Sequence, residues 1–276
     1  MNLILSSLTV VLLGTVIPSA VPILSALLIG LLGVPHGAVD LYLVSSRSQR
    51  VRELVMYLLR IALVVCTWLL APGIMLAVFL VNSAWHFGDC DVPNTGRFHW
   101  VRAIIYGASI LALFVNPLDP VVGSIITELI RTSINDSIWA HYATLKIVAA
   151  ALVMAIPVWS AGANRLTSIV HSGVIVATAY LVESLFAFTW YFTVVHAYTS
   201  MNALRFHLGG DQPWPWRKLI IAALPLSLVS WTGIGLAIVV LPGSYGLVAL
   251  FVALSALTLP HSILFHRVYD SHHRRA

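Results

Sequence analysis

Two short stretches each place a histidine and then an acid at the end of an apolar run. In VNSAWHFGDCD, His86 is followed by Asp89 and Asp91. In GLLGVPHGAVD, His36 is followed by Asp40. Neutral imidazole is a common metal ligand, and a metal-bound histidine usually donates its other N–H to a carboxylate or a carbonyl. The two stretches therefore predict metal-ligating histidines with the acids as their hydrogen-bond acceptors.

The composition excludes a soluble protein. Of the 276 residues, 59% are hydrophobic and 9% are charged, and the mean hydropathy is +0.94. Soluble domains carry about 25% charged residues. Apolar runs long enough to cross a bilayer fill most of the sequence, so we predict an all-α polytopic membrane helix bundle of about 8–10 transmembrane segments. It is expected to form a single domain over residues 1–276.

The apolar runs and the residues that interrupt them predict ten segments. The first two are short and are separated by Pro18 and Pro22, so they are either one broken element or a re-entrant pair, and the count lies between eight and ten. The polar connection 117–142 contains an apolar stretch, VVGSIITELI, that is a candidate for an element on the membrane surface. The ten segments cover residues 3–17, 19–34, 53–71, 73–87, 101–116, 143–160, 166–183, 186–204, 219–241 and 246–266.

The loop charges predict the orientation in the membrane. Lys and Arg accumulate in cytoplasmic loops, and with ten segments every basic cluster falls on one side. This predicts a protein of the plasma membrane with both termini in the cytoplasm, surrounded by lipid. The net charge of +5 comes from scattered basic residues and gives no reason to expect a nucleic-acid partner. The clusters contain Arg47, Arg50, Arg52, Arg97, Arg102, Arg165, Arg205, Arg217, Lys218, Arg267, Arg274 and Arg275.

Four of the eleven histidines are predicted to lie at similar depth. His36, His86, His196 and His261 fall on even-numbered segments, and all four lie in the cytoplasmic half of the bilayer. An imidazole in hydrocarbon needs a partner, because an unsatisfied polar group there costs several kcal/mol. Four imidazoles can satisfy this need by binding one metal ion, whereas a single intramembrane histidine is more often an interhelical hydrogen-bond donor.

The remaining histidines are open to simpler interpretations. His171, near the inner end of segment 7, is a fifth ligand, an outer hydrogen-bond partner or a packing residue, and the last two are favoured. His99, His141, His272 and His273 are expected to be solvated loop or tail residues.

Aromatic residues precede one of the four histidines. Phe188, Phe192 and His196 follow one another at intervals of four, so they share one face of a helix. Together with Trp85 next to His86, these rings are candidates to line a tunnel for an apolar substrate. An aromatic belt at the membrane interface is the alternative interpretation.

Four motifs together resemble a known family. GVPHGAVD, WHFGDCD, WYFTVVHAY and LPHS, in this order along essentially the whole chain, are similar to the Brp/Blh family. Its members are microbial membrane proteins regarded as β-carotene 15,15'-dioxygenases and are found with retinal-binding rhodopsins. The resemblance implies cleavage of the central double bond of β-carotene by O2 at a non-haem Fe(2+), giving two all-trans retinal molecules.

The resemblance also implies a ligand set. Matched motif by motif, His36, His86, His196 and His261 are the iron ligands. One position departs from the family, whose members often have a second histidine four residues after the one that matches His196. Ser200 occupies that position here, and His207 lies too far along the helix to replace it.

Two other function classes stay open at the level of sequence. A membrane di-iron desaturase or hydroxylase would need more ligands from the tail, but the tail spacing does not match HxxxH and HxxHH boxes. A metal or proton transporter or a retinoid carrier would not be an enzyme. Intramembrane histidines are typical of ion pathways, yet no acid lies near the bilayer midplane, since Glu183 is near an outer end.

Overall fold

The described part of the chain is helical throughout. The computed structural model describes residues 3–44, 46–92, 98–132, 140–160, 164–240 and 245–273, and these contain no strand. The predicted all-α membrane protein is thereby confirmed. The α-helices are α1 (Leu3–Val16), α2 (Val21–Leu28), α3 (Val34–Gly37), α4 (Arg47–Leu70), α5 (Pro72–Asp91), α6 (His99–Phe114), α7 (Pro120–Ile130), α8 (Tyr142–Ser160), α9 (Arg165–Leu181), α10 (Ser184–Trp190), α11 (Tyr198–Gly209), α12 (Trp216–Val240) and α13 (Tyr245–His273).

Each predicted segment coincides with helical structure, and the additional helix is α7. It lies in the connection whose apolar stretch was noted from the sequence. Asp119 caps α7 by accepting hydrogen bonds from the backbone N–H groups of Val121 and Val122, and Pro120 occupies the first helical position, where its missing N–H costs nothing.

The second predicted segment, 19–34, lies within a longer series of short helical pieces, Pro18–Leu43. It combines α2 and α3 with 3₁₀ turns at Pro18–Ala20 and Asp40–Leu43 and with a π-helical turn at Ile29–Gly33. A second π-helical turn, Tyr191–Ala197, joins α10 to α11. Such turns rotate the side chains that follow them and often occur at functional sites. His36 follows the first and His196 lies within the second.

Five helical stretches are long and apolar enough, by length and composition, to cross a membrane among the residues described. Many large apolar side chains on them are exposed, as expected for surfaces that face lipid tails. Four shorter apolar helices, α1, α6, α7 and α9, accompany them. The five stretches are Pro18–Leu43, Ser48–Leu70, Tyr142–Trp159, Trp216–Leu236 and Gly246–His266.

The chain forms two compact units. The first consists of Met1–Ile29 and Leu80–Thr199, and the second of Gly30–Phe79 and Ser200–Ala276. Each unit is therefore assembled from two separate stretches of sequence, and each contains two of the four predicted ligands. The single domain expected from the sequence stays a prediction.

In the first unit, α5 and α6 approach each other through small residues. A Cβ added to Gly88 would lie 1.7 Å from the carbonyl oxygen of Ala103, and one added to Gly107 would lie 1.8 Å from that of Ala84. Small residues four apart on both helices allow this backbone contact, which is a common device of membrane helix pairs. The contact fixes α5, and hence His86, against α6.

In the second unit, indole N–H groups tie the helices together. Trp68 on α4 donates to the hydroxyl of Ser255 on α13 at 2.6 Å. Trp231 on α12 donates to the carbonyl of Gly30 at 2.7 Å. The second bond satisfies a carbonyl in the π-helical turn, and unsatisfied carbonyls are costly in hydrocarbon. These bonds hold the helices on which His36 and His261 depend.

Candidate metal centre

His86 and His196 form a pair in the first unit. Their ring centroids are 5.0 Å apart with planes at 75°, and both side chains are buried. Phe87 packs edge-on against the His196 ring, with centroids 4.6 Å apart. Two imidazoles are thus held side by side in apolar surroundings.

The π-helical turn gives His196 an acidic neighbour. Asp91 at the end of α5 lies with one carboxylate oxygen 3.5 Å from Nδ1 of His196. Its other oxygen accepts a hydrogen bond from the hydroxyl of Tyr191. Tyr191 precedes His196 by five residues, the spacing that a π-helical turn brings onto one side. Tyr191 therefore fixes the carboxylate that faces His196.

The predicted aromatic face is present. Phe188 stacks on Phe192 with ring centroids 5.9 Å apart, and Phe192 stacks on His196 at 6.1 Å with planes 13° apart. Trp85 differs from these two, since its side chain is 48% exposed. Its predicted role as a substrate-lining residue stays a prediction.

The neighbours of His86 differ from those that the motif suggested. Its Nδ1 is 3.8 Å from the sulfur of Cys90, one helical turn away. Asp89 instead pairs with His99, whose Nε2 is 2.8 Å from the carboxylate. The expectation of a solvated His99 is therefore wrong, because α6 begins at this residue and turns the ring toward α5.

His36 and His261 form the corresponding pair in the second unit. Their ring centroids are 4.7 Å apart with planes at 77°, and both side chains are buried. Gly37 makes room for this arrangement, because a Cβ there would come within 3.3 Å of the His261 ring. A side chain at position 37 would have to displace that ring.

Asp40 contacts His261 and not its neighbour in sequence. Both carboxylate oxygens lie close to Nδ1 of His261, at 2.8 and 2.9 Å, and Asp40 is fully buried. The expectation that Asp40 lies one turn below His36 assumed a continuous helix. Since α3 ends at Gly37, the carboxylate turns away, and His36 donates from Nδ1 to the carbonyl of Gly33.

The hydrogen bonds define which nitrogen each ring offers to a metal. A carbonyl and a carboxylate only accept, so Nδ1 carries the proton in His36 and in His261, and Nε2 carries the lone pair. Each unit thus holds two buried imidazoles side by side. Imidazole ligands suit zinc, copper, iron and nickel. The donor set therefore fits a transition metal.

The other histidines lie elsewhere. His141 is exposed, as expected, and His171 is also exposed on α9, which disfavours a packing role. The side chains of His272 and His273 lie outside the described part of the chain.

Sequence reasoning missed two contributors to these pairs. Tyr191 was hidden because helical spacing favoured Phe188 and Phe192, and only the π-helical turn brings position 191 into line with His196. Gly37 was visible as the residue after His36, but its contact is with a ring more than two hundred positions away. In both cases the sequence showed only the neighbouring residues, whereas the contact depends on the tertiary structure.

Comparisons with known proteins agree on one family. A family model described as beta-carotene 15,15'-dioxygenase matches residues 27–269, a range that includes all four predicted ligands. The chain is 24% identical over 272 residues to a beta-carotene 15,15'-dioxygenase of an uncultured marine bacterium, 66A03. That match covers 90% of this chain and 94% of the relative. No solved structure matches this chain.

Proposed function

The chain belongs to the beta-carotene 15,15'-dioxygenase family, and we propose that it cleaves the central 15,15' double bond of β-carotene with O2 to give two all-trans retinal molecules. The relative's name supports β-carotene as the substrate and dioxygenase chemistry as the activity. The observation that supports the site most directly is the pairing of four buried histidines, two in each unit.

We propose a non-haem Fe(2+) held by His36, His86, His196 and His261. Four neutral imidazoles and no carboxylate leave the bound ion with its positive charge, which favours ferrous over ferric iron. The acids then act on the rings: Asp40 orients His261 and Asp91, held by Tyr191, orients His196. Asp89 contributes indirectly by pairing with His99 at the end of α5.

The reaction needs no acid or base from the protein. One C=C bond and one O2 become two C=O bonds, so both oxygen atoms stay in the products and no proton is gained or lost. Ferrous iron supplies the one-electron chemistry that O2 needs to react with an alkene. The contribution of the side chains is to hold the polyene with its central bond at the histidines and to exclude water.

Aromatic rings are the proposed contacts of the polyene in the first unit. Phe188 and Phe192 form a stacked row that ends on His196, and Trp85 is the remaining candidate. Flat apolar rings suit a conjugated chain that makes no hydrogen bonds. Ser200, which is buried, stands where the family often has a histidine, so in this chain the proposed ligand set is four histidines without it.

The surroundings follow from the substrate. β-Carotene dissolves in the bilayer, so a site among membrane helices receives it without passage through water. We propose that the protein lies in the plasma membrane with both termini in the cytoplasm, and that its retinal serves a retinal-binding rhodopsin.

Expression in cells that make β-carotene tests the proposal. We expect loss of the carotene colour together with retinal, and loss of both effects in His86→Ala. His141→Ala, at an exposed position, is the matched control and should behave as the wild type. Unchanged β-carotene in cells that contain folded wild-type protein would overturn the proposed activity.

Elemental analysis of the purified protein separates the metal alternatives. One iron per chain agrees with the proposed site. Two irons per chain would favour a di-iron desaturase or hydroxylase, and zinc in place of iron would contradict an oxygenase.

A further inference from the structure

One cavity lies entirely within the second unit. It measures about 80 Å³, and its walls come from α3, α4, α12 and α13. His36 and His261 belong to its lining, and most of the other lining side chains are aliphatic. The cavity is thus a mostly apolar space whose wall includes two of the four proposed ligands.

The cavity reaches the surface at two of its lining residues. Leu58 on α4 and Val229 on α12 line it and are 53% and 67% exposed. Both residues lie near the middle of helices that are long and apolar enough to cross a membrane. In helices that cross a membrane, mid-helix positions lie among the lipid tails, so a mouth defined by Leu58 and Val229 suits a ligand dissolved in lipid.

Two polar side chains in the wall, Tyr57 and Thr258, already donate hydrogen bonds to backbone carbonyls. The hydroxyl of Tyr57 donates to the carbonyl of Leu257 at 3.3 Å, and Thr258 donates to the carbonyl of Leu254 at 2.7 Å. An occupant without hydrogen-bonding groups thus loses nothing on entering, whereas water would find few partners.

We propose that this cavity is the opening through which the polyene of β-carotene passes from the lipid to His36 and His261. The inference rests on the proposed function and adds the route and the residues that control it. A pocket that encloses a drug-sized ligand has roughly 300–1,000 Å³, so the cavity takes part of the polyene's length and not the whole molecule. The rest of the rod stays in lipid or extends along other apolar surfaces.

Enlarging the mouth residues tests the route. Leu58→Trp and Val229→Trp, singly and together, should narrow the opening. Because both positions are exposed, the larger side chains have room there without disturbing the core. Leu63→Trp on α4 and Leu236→Trp on α12 are matched controls, because these leucines are similarly exposed but do not line the cavity.

Binding is measured first, without turnover. Purified full-length protein in phosphatidylcholine vesicles is titrated with β-carotene under nitrogen, and bound carotene per chain is read from its visible absorption. We expect at least about tenfold weaker binding for the double mouth variant, equivalent to about 1.4 kcal/mol, and wild-type binding for both controls. Iron content should be the same in the wild type and in all five variants.

Admission of air then separates this inference from the proposed function. Wild-type protein that binds β-carotene but forms no retinal overturns the proposed function and leaves the route standing. Mouth variants that bind and cleave like the wild type overturn the route alone, and this is also the result expected if a lipid acyl chain is the normal occupant. Wild-type protein that binds no β-carotene overturns both.

Discussion

The contact between Asp40 and His261 gives the sharpest prediction. Both oxygens of a fully buried carboxylate face one ring nitrogen, at 2.8 and 2.9 Å. Removing an outer partner of a metal-bound histidine typically lowers metal affinity about 10–100-fold, or about 1.4–2.8 kcal/mol. We expect Asp40→Ala to bind Fe(2+) more weakly by this factor. Asp40→Asn should lie in between, since its amide oxygen can still accept from Nδ1.

The assay is a titration of metal-depleted protein with Fe(2+) in competition with a chelator of known affinity. Asp211→Ala removes an exposed acid of the same unit and should bind iron as the wild type does. Circular dichroism and the melting temperature report on folding, because a buried N–H without its acceptor also destabilises the protein by about 1–3 kcal/mol. Wild-type iron affinity in a folded Asp40→Ala protein would refute the positioning role. If the alanine variant does not fold, the same titration is done with Asp40→Asn.

Three further perturbations follow from the same geometry. Gly88→Ala should lower the melting temperature through an overpacking penalty of about 1–3 kcal/mol or more, because its Cβ would lie 1.7 Å from the Ala103 oxygen. Gly173→Ala is the control, since its Cβ would meet nothing within 4 Å. Equal melting temperatures of the two variants would contradict the close contact between α5 and α6. Gly37→Ala should weaken Fe(2+) binding by pushing on the His261 ring, and unchanged affinity in the same titration would mean that the ring yields without loss. Chelation should abolish retinal formation, with recovery on adding Fe(2+) but not Zn(2+); recovery with zinc would argue against iron chemistry.

The membrane class and the helices were predictable from the sequence because they depend on local properties. Runs of apolar residues of bilayer length, broken by Pro, Gly and charge, mark helix limits directly. The ten predicted segments all coincide with helices for this reason. The apolar stretch in the connection 117–142 forms α7, whose Asp119 cap and Pro120 are also local signals, and its place on the membrane surface stays a prediction.

Ring contacts between neighbouring helical turns were predictable from spacing. The stacking of Phe188, Phe192 and His196 agrees with intervals of four, even though Phe192 and His196 lie in the π-helical turn Tyr191–Ala197. The hydrogen-bond partner of His36 could not be predicted in this way. The helix ends at Gly37, so the carboxylate of Asp40, four residues after His36, no longer shares a helix face with it.

The sequence by itself determined that four histidines would lie inside an apolar, helical membrane protein, and which four. Only the tertiary structure decided how they pair and which acid faces which ring: Asp40 with His261, 221 positions away, and Asp91 with His196. The physical reason is that hydrogen-bond partners between remote segments depend on helix crossings and π-helical turns. Those features rotate each side chain by an amount that the spacing of residues along the chain does not encode.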